Sequence, residues 1–150
     1  MRYTVFCLLI LMQSEILLSQ EAATAHKLSI EQHYKQYSEA FSAQDVDLIE
    51  SFFTYPMVMN GDDAKVIINA DTLKATYKTL FDSMPETYNH TTVDTLSVIS
   101  IGSMRYKAVV KYSHWDAKEQ WLGSGGGSYY FKDIDKSIEV DFKIHHYTPL

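Results

Sequence analysis

Imidazoles and phenols are the groups in this sequence best suited to moving protons near neutral pH. Six histidines and eleven tyrosines stand among its 150 residues. Two of the histidines close apolar runs with the two-residue period of a strand. Met104, Tyr106, Ala108, Val110, Tyr112 and His114 share one face, and Ile138, Val140, Phe142, Ile144 and His146 share another. His90, Thr92 and Asp94 have common parity with Leu96 and Val98. An imidazole is suited to general acid–base work near pH 7. A phenol hydroxyl beside it can polarise a carbonyl oxygen. Asp94 is the one strand carboxylate with the parity of the apolar side, and a carboxylate in an apolar pocket is another way to take a proton. A solvated strand edge is the alternative place for it.

Other chemistries are poorly served. His145 and His146 are adjacent, so a strand sends them to opposite faces and they cannot share one ion. No zinc-type ligand spacing occurs, and neither a metal nor a cofactor is expected. The sole cysteine, Cys7, lies in an apolar N-terminal run, so the domain beyond has no thiol nucleophile. Gly123-Ser124-Gly125-Gly126-Gly127 is no phosphate loop, because no Lys-Ser or Lys-Thr follows and the run leads into a strand. Glycines there let a strand bend, or let a ligand or partner approach closely. The net charge of −6 and the lack of a basic block argue against nucleic acid.

The elements that must position these groups are readable in outline. Ser29 with Gln32 resembles a capping box, and Ile30, Tyr34, Tyr37 and Phe41 form one apolar stripe behind it. Asp45 is placed to cap a short helix over 46–53. Pro56 is expected to end the helical region. Met57 to Met59 and Lys65 to Ile68 are expected strands around an Asn60-Gly61 turn. Asn69 or Asp71 caps a third helix running to about Met84, with Leu73, Tyr77, Leu80 and Phe81 on its apolar face. Four strands follow, over 88–99, 104–115, 125–132 and 138–147, joined by short polar links. Strands this long in a small sheet must twist and curl.

The N-terminus has the anatomy of an export signal. Arg2 supplies charge, Val5 to Met12 is apolar, and Ala23-Thr24-Ala25 ends in an A-x-A pattern. The apolar run is shorter than the ~20 residues that span a bilayer. Residues 1–25 are therefore expected to be a cleaved signal peptide and 26–150 a single domain, secreted or periplasmic, with no membrane insertion. An N-terminal amphipathic or buried helix is the other reading.

The aromatic first helix ending in Ala40-Phe41, the break Ala43-Gln44-Asp45-Val46-Asp47 and the Phe52-Phe53 to Pro56 entry into a strand carry a resemblance. With the strands Arg105 to Val110 and Val140 to Tyr147, they resemble the nuclear transport factor 2-like superfamily, including its SnoaL-like and ketosteroid-isomerase-like branches. The match spans 29–147. Lys136-Ser137-Ile138 departs from the Gly-Trp pair that many members carry at the last strand. The resemblance implies an α+β fold in which a curved, mostly antiparallel sheet wraps three helices into a cone with a central pocket. It also implies that the even-numbered strand faces line that pocket. Tyr37, Phe41, Tyr112, Asp94 and His146 are then expected to touch a ligand. Tyr34, Tyr55, His90 and His114 loosely resemble, in chain order, the Tyr and His pairs of the scytalone dehydratase branch. Lys35 stands where that branch has an acid, so its mechanism lacks a partner. The favoured reading of the same four residues is structural: Tyr34 a core aromatic, Tyr55 packing at a helix end, and both histidines capping apolar faces. The Asp-Arg-Asp set of the epoxide-hydrolase branch is missing, because Arg105 has outward parity.

These observations lead to an exported domain that binds a small apolar or carbonyl-containing molecule, with no reaction assigned. A lyase or isomerase using pocket His and Tyr is the alternative, and an association module is a third. Trp115, Trp121, Tyr129 and Tyr130 around the glycine run suggest a homodimer through the sheet.

Overall fold

The first 42 residues contain neither glycine nor proline, and nothing in them halts a helix once it has started. The computed structural model describes residues 2–59, 64–102, 104–133 and 142–149. In it α1 runs unbroken over Arg2–Ser42. Ser29 is thus interior to a helix and caps nothing, a correction to the capping box. His26 of this helix touches the sheet, its Nδ1 lying 3.0 Å from the Tyr106 hydroxyl. The preceding residues 20–25 are exposed except for half-buried Ala23. Among the described residues no helix is long and apolar enough to cross a membrane.

The end of α1 is a Schellman turn. Gln44 takes a left-handed φ of 53°, Gln44 N–H donates to Phe41 O, and Asp45 N–H donates to Ala40 O. Asp45 then caps α2, Val46–Ser51, by accepting from Leu48 N–H. This helix stops short of residue 53 because Phe53 already belongs to β1, Phe53–Met59. Pro56 does not precede that strand but lies inside it. The ladder from β1 to its neighbour skips from Phe53 to Val58, where a residue without an N–H is tolerated. The expected turn at 60–63 lies outside the described residues. Its return strand is β2, Lys65–Ile67. Asn69, not Asp71, caps α3, Ala70–Asp82, accepting from Thr72 N–H at 2.9 Å.

The remaining strands are β3, Tyr88–Gly102; β4, Arg105–Asp116; β5, Trp121–Asp133; and β6, Phe142–Pro149. All are longer than expected or displaced, except that the start of the last expected strand lies outside the described residues. They complete one six-stranded sheet of order β2-β1-β6-β5-β4-β3, antiparallel except for the β1–β6 pair. The sheet's inner face presents Tyr106, Ala108, Val110, Tyr129, Phe131 and Ile144 to Ile30, Tyr34, Tyr37 and Ala40 of α1. Ile49 and Leu73 of the other helices close the same core. The α+β architecture, a curved unclosed sheet around three helices, is the expected one.

Two bulges overturn the expected facing of side chains. On β3, Val93 pairs with Tyr112 and Thr95 with Lys111, which leaves Asp94 as an extra residue. On β6, His146 pairs with Tyr130 and Ile144 with Phe131, which leaves His145 extra. One inserted residue exchanges the two faces beyond it. The inner face of β3 is therefore Thr91 and Val93, then Leu96 and Val98. That of β6 is Ile144, then Tyr147.

Candidate functional site

The helices and the inner sheet face enclose a cavity of about 290 Å³. Its wall is aromatic: Tyr34, Tyr37 and Phe41 from α1, Tyr77 from α3, Tyr112 and His114 from β4, Tyr129 from β5 and Tyr147 from β6. Met59, Leu80, Met84 and Pro85 add apolar surface. Among the described residues no Asp, Glu, Lys or Arg lines it. The rings meet mainly edge to face or tilted, Tyr34 on Tyr129 and Tyr129 on Tyr147 each with centroids 4.8 Å apart, as the ring quadrupole favours.

Glycines make this wall possible. Gly125 is the register partner of Tyr112. A Cβ on Gly125 would stand 2.7 Å from the Tyr112 ring, and one on Gly127 would overlap the Tyr147 ring. The bare backbone of β5 is the surface across which both rings lie. The glycine run thus serves ring packing in the cavity wall.

The phenols are held protonated. Burial pushes the pKa of Tyr34, Tyr37, Tyr77 and Tyr129 up, and neighbouring phenols add to the rise through their mutual repulsion when charged. The Tyr37 and Tyr77 hydroxyls are 2.8 Å apart.

His114 is the titratable base of the wall. It is half-buried, and burial moves its pKa down, favouring the neutral ring. Phe41 stacks beside it at 6.1 Å and 18°, with Tyr112 at 5.1 Å and Tyr88 at 5.6 Å. Its Nδ1 lies 2.8 Å from Thr91 Oγ1, which lies 2.8 Å from the Tyr88 hydroxyl. Thr91 is in turn fixed on α1, because its N–H donates to Ser42 Oγ at 3.0 Å and that hydroxyl donates to Ser38 O. A threonine has one proton to give. If it goes to His114 Nδ1, Nε2 carries hydrogen and donates into the cavity. If Thr91 donates instead to Tyr88, Nδ1–H points at Thr91 and Nε2 is a base. Among the described residues Nε2 has no hydrogen-bond partner, so either form offers it to a ligand.

The structure brings together Tyr34, Tyr37, Phe41, Tyr112 and His114 of the sequence-derived set. It does not bring the others. The Asp94 bulge leaves His90 and Asp94 on the outer face, His90 3.9 Å from Glu119 and Asp94 accepting from Ser113 at 2.7 Å. The His145 bulge turns His146 outward, stacked on Tyr130 at 4.8 Å. The Tyr55 hydroxyl donates to Glu50 at 3.2 Å, away from the cavity. His90, His114 and His146 therefore do not converge. Sequence reasoning missed Thr91, Tyr77, Tyr129 and Tyr147 as wall residues. Tyr77 stands in the α3 stripe, and Tyr129 reads in the sequence as an interface aromatic beside the glycine run. Thr91 and Tyr147 were hidden by the two bulges.

No protein-family model matches the chain, and no curated protein sequence does. Solved structures do. A protein of unknown function with a cystatin-like fold from Nostoc punctiforme aligns with TM-score 0.68 at 10% identity, over 82% of this chain and 88% of its own. An NTF2-like protein of unknown function from Pseudomonas putida aligns with TM-score 0.67 at 12% identity, over 84% and 86%. A ketosteroid isomerase-like protein from Erwinia carotovora atroseptica aligns with TM-score 0.62 at 15% identity, over 82% and 93%. At such identities the likeness is one of fold.

Proposed function

We propose that this chain, which has the cone fold of the nuclear transport factor 2-like superfamily, binds a small, mainly apolar molecule bearing a carbonyl or similar oxygen. The observation that carries the reading is His114 Nε2, which has no hydrogen-bond partner among the described residues and stands in a wall that among them is aromatic and without a formal charge. A volume near 290 Å³ falls at the small end of ligand pockets, which run from about 300 Å³ upward. Ring faces supply affinity through buried apolar area, and the imidazole and phenols supply orientation.

A second reading, a lyase or isomerase, is favoured by the Tyr88–Thr91–His114 chain. It lets His114 take or give a proton at Nε2 while the bond at Nδ1 rearranges. In that reading His114 acts without His90, and Tyr34 and Tyr112 replace Tyr55 as phenols near the ligand. Export after Ala25 belongs to the same proposal, supported by the signal-like N-terminus and by the exposure of residues 20–22 and 24–25 before His26 meets Tyr106. So does self-association through the Trp121 end of the outer sheet face, opposite the end that carries Arg105 and Lys132, supported by the exposure of Trp121.

Thermal shift and native mass spectrometry of the full chain with a small aromatic ketone such as acetophenone test the binding. Saturating ketone should raise the melting temperature and give a one-to-one adduct. Thr76→Trp, which fills the cavity from α3, should abolish both. Equal adducts on wild type and variant, or no adduct on either, would contradict the proposal.

A further inference from the structure

Away from the cavity, on the outer face of the sheet, cations stand opposite cations. Arg105 of β4 is the register partner of Lys132 of β5, and Lys132 is that of Lys143 of β6. Like charges directly opposite each other destabilise a sheet. Lys143 turns aside and donates to the Ser51 carbonyl at 2.7 Å. Arg105 and Lys132 form no ion pair among the described residues; the pairs found there are Lys74 with Asp47 and His90 with Glu119.

The next row adds to the concentration. Lys107, Tyr130 and His146 are register partners across the same three strands. The Lys107 ammonium lies 5.6 Å from the centre of the Tyr130 ring, on which His146 stacks. His145, the bulged residue, lies 6.5 Å from that ring. Its pKa is lowered first by burial and then by the charges of Lys132, His146 and Arg105, so these groups share one electrostatic neighbourhood. Such a gathering is unexpected on a chain of net charge −6. A like-charge row with no compensating ion pair among the described residues points to a role outside stability.

We propose that Arg105, Lys107, Lys132 and His145, arranged around Tyr130, form a docking surface for an acidic polypeptide segment. The charges spread over three strands spaced about 4.8 Å apart, on a face and not in a hollow, which suits an extended chain better than a small anion. Arg105 is exposed, and its guanidinium can hold a carboxylate through two hydrogen bonds. Tyr130 offers apolar contact between the charges. Nucleic acid is disfavoured by the repulsion of the chain's overall negative charge.

The test is fluorescence anisotropy of a labelled, glutamate-rich decapeptide with the full chain, at low and at physiological salt. Binding should weaken about tenfold or more with salt. The double variant Arg105→Glu/Lys132→Glu should lose about tenfold or more in affinity, while Lys78→Glu/Lys118→Glu, with the same change in net charge, stays within about twofold. Lys132→Glu alone should raise the melting temperature, because it sets an anion opposite Arg105, and yet weaken the peptide. The proposal is overturned if the peptide fails to bind at low salt, or if both double variants lose equally. Preference for a single-stranded RNA of equal charge, or a second copy of the chain covering the face in sedimentation experiments, would also overturn it.

Discussion

Above pH 10 the protein is expected to unfold in one steep transition driven by its own phenols. Tyr34, Tyr37, Tyr77 and Tyr129 are buried and hold their protons above the ordinary phenol range, chiefly because burial disfavours the charged form. In the unfolded chain the same groups ionise near pH 10. Their folded pKa is raised, so their contribution is fully present below pH 10 and is lost as pH rises toward the folded values. Between those limits the native state binds more protons than the unfolded one, and stability falls by about 1.4 kcal/mol per pH unit for each such phenol. Four acting together would exhaust a typical stability of 5–15 kcal/mol within about one to three units. Far-ultraviolet circular dichroism and phenolate absorbance should change together, and Tyr37→Phe should make the alkaline limb shallower. Gradual phenolate formation ahead of any loss of structure would mean that the phenols are not buried as described.

Gly127→Ala is expected to cost about 1–3 kcal/mol, a large penalty for one methyl group. The added Cβ would overlap the Tyr147 ring and stand 3.2 Å from the Thr148 carbonyl oxygen. The ring cannot yield freely, because it packs on Tyr129 at 4.8 Å and closes the cavity wall. The penalty should be coupled to that ring. Adding Gly127→Ala to Tyr147→Ala should cost clearly less than adding it to the wild type. Gly123→Ala, with nothing within 4 Å of its Cβ, should stay within about 0.5 kcal/mol. Chemical denaturation of the four variants decides the matter. Strict additivity of the 127 and 147 changes would show that the glycine does not exist for the tyrosine.

Much of the fold was legible because local and global signals agree. The stripe Ile30, Tyr34, Tyr37, Phe41 spans three turns and its first three residues are buried. Asp45 and Asn69 bond backbone amides as cap residues do. What was not legible follows from features that leave little local trace. Ser29 has the side chain of a cap, but no breaker precedes it, so the helix passes through. Pro56 sits where the β1–β6 ladder is interrupted, a fact about a neighbouring strand that is distant in sequence. The bulges at Asp94 and His145 arise from the pairing of strands, and a period-2 reading has no means of seeing an unpaired residue. Each one exchanges a real wall residue for a false one: Thr91 for His90, and Tyr147 for His146. Half of the candidate site was therefore visible on α1 and β4, which carry no bulge beside the cavity, and the other half was mirrored to the wrong face. Lys35 was already a warning against a paired-histidine mechanism, and the outward His90 removes the second histidine.

The central claim is that His114 Nε2 is the polar contact of a ligand-binding cavity. Nitrogen-15 resonance of the histidine side chains, recorded while the aromatic ketone is titrated into the full chain, tests it most directly. The account predicts that His114 Nε2 shifts saturably, that His90 and His146 remain still, and that Thr76→Trp suppresses the change. A ketone that binds while His114 stays unmoved, or that shifts His90 or His146 instead, would contradict it.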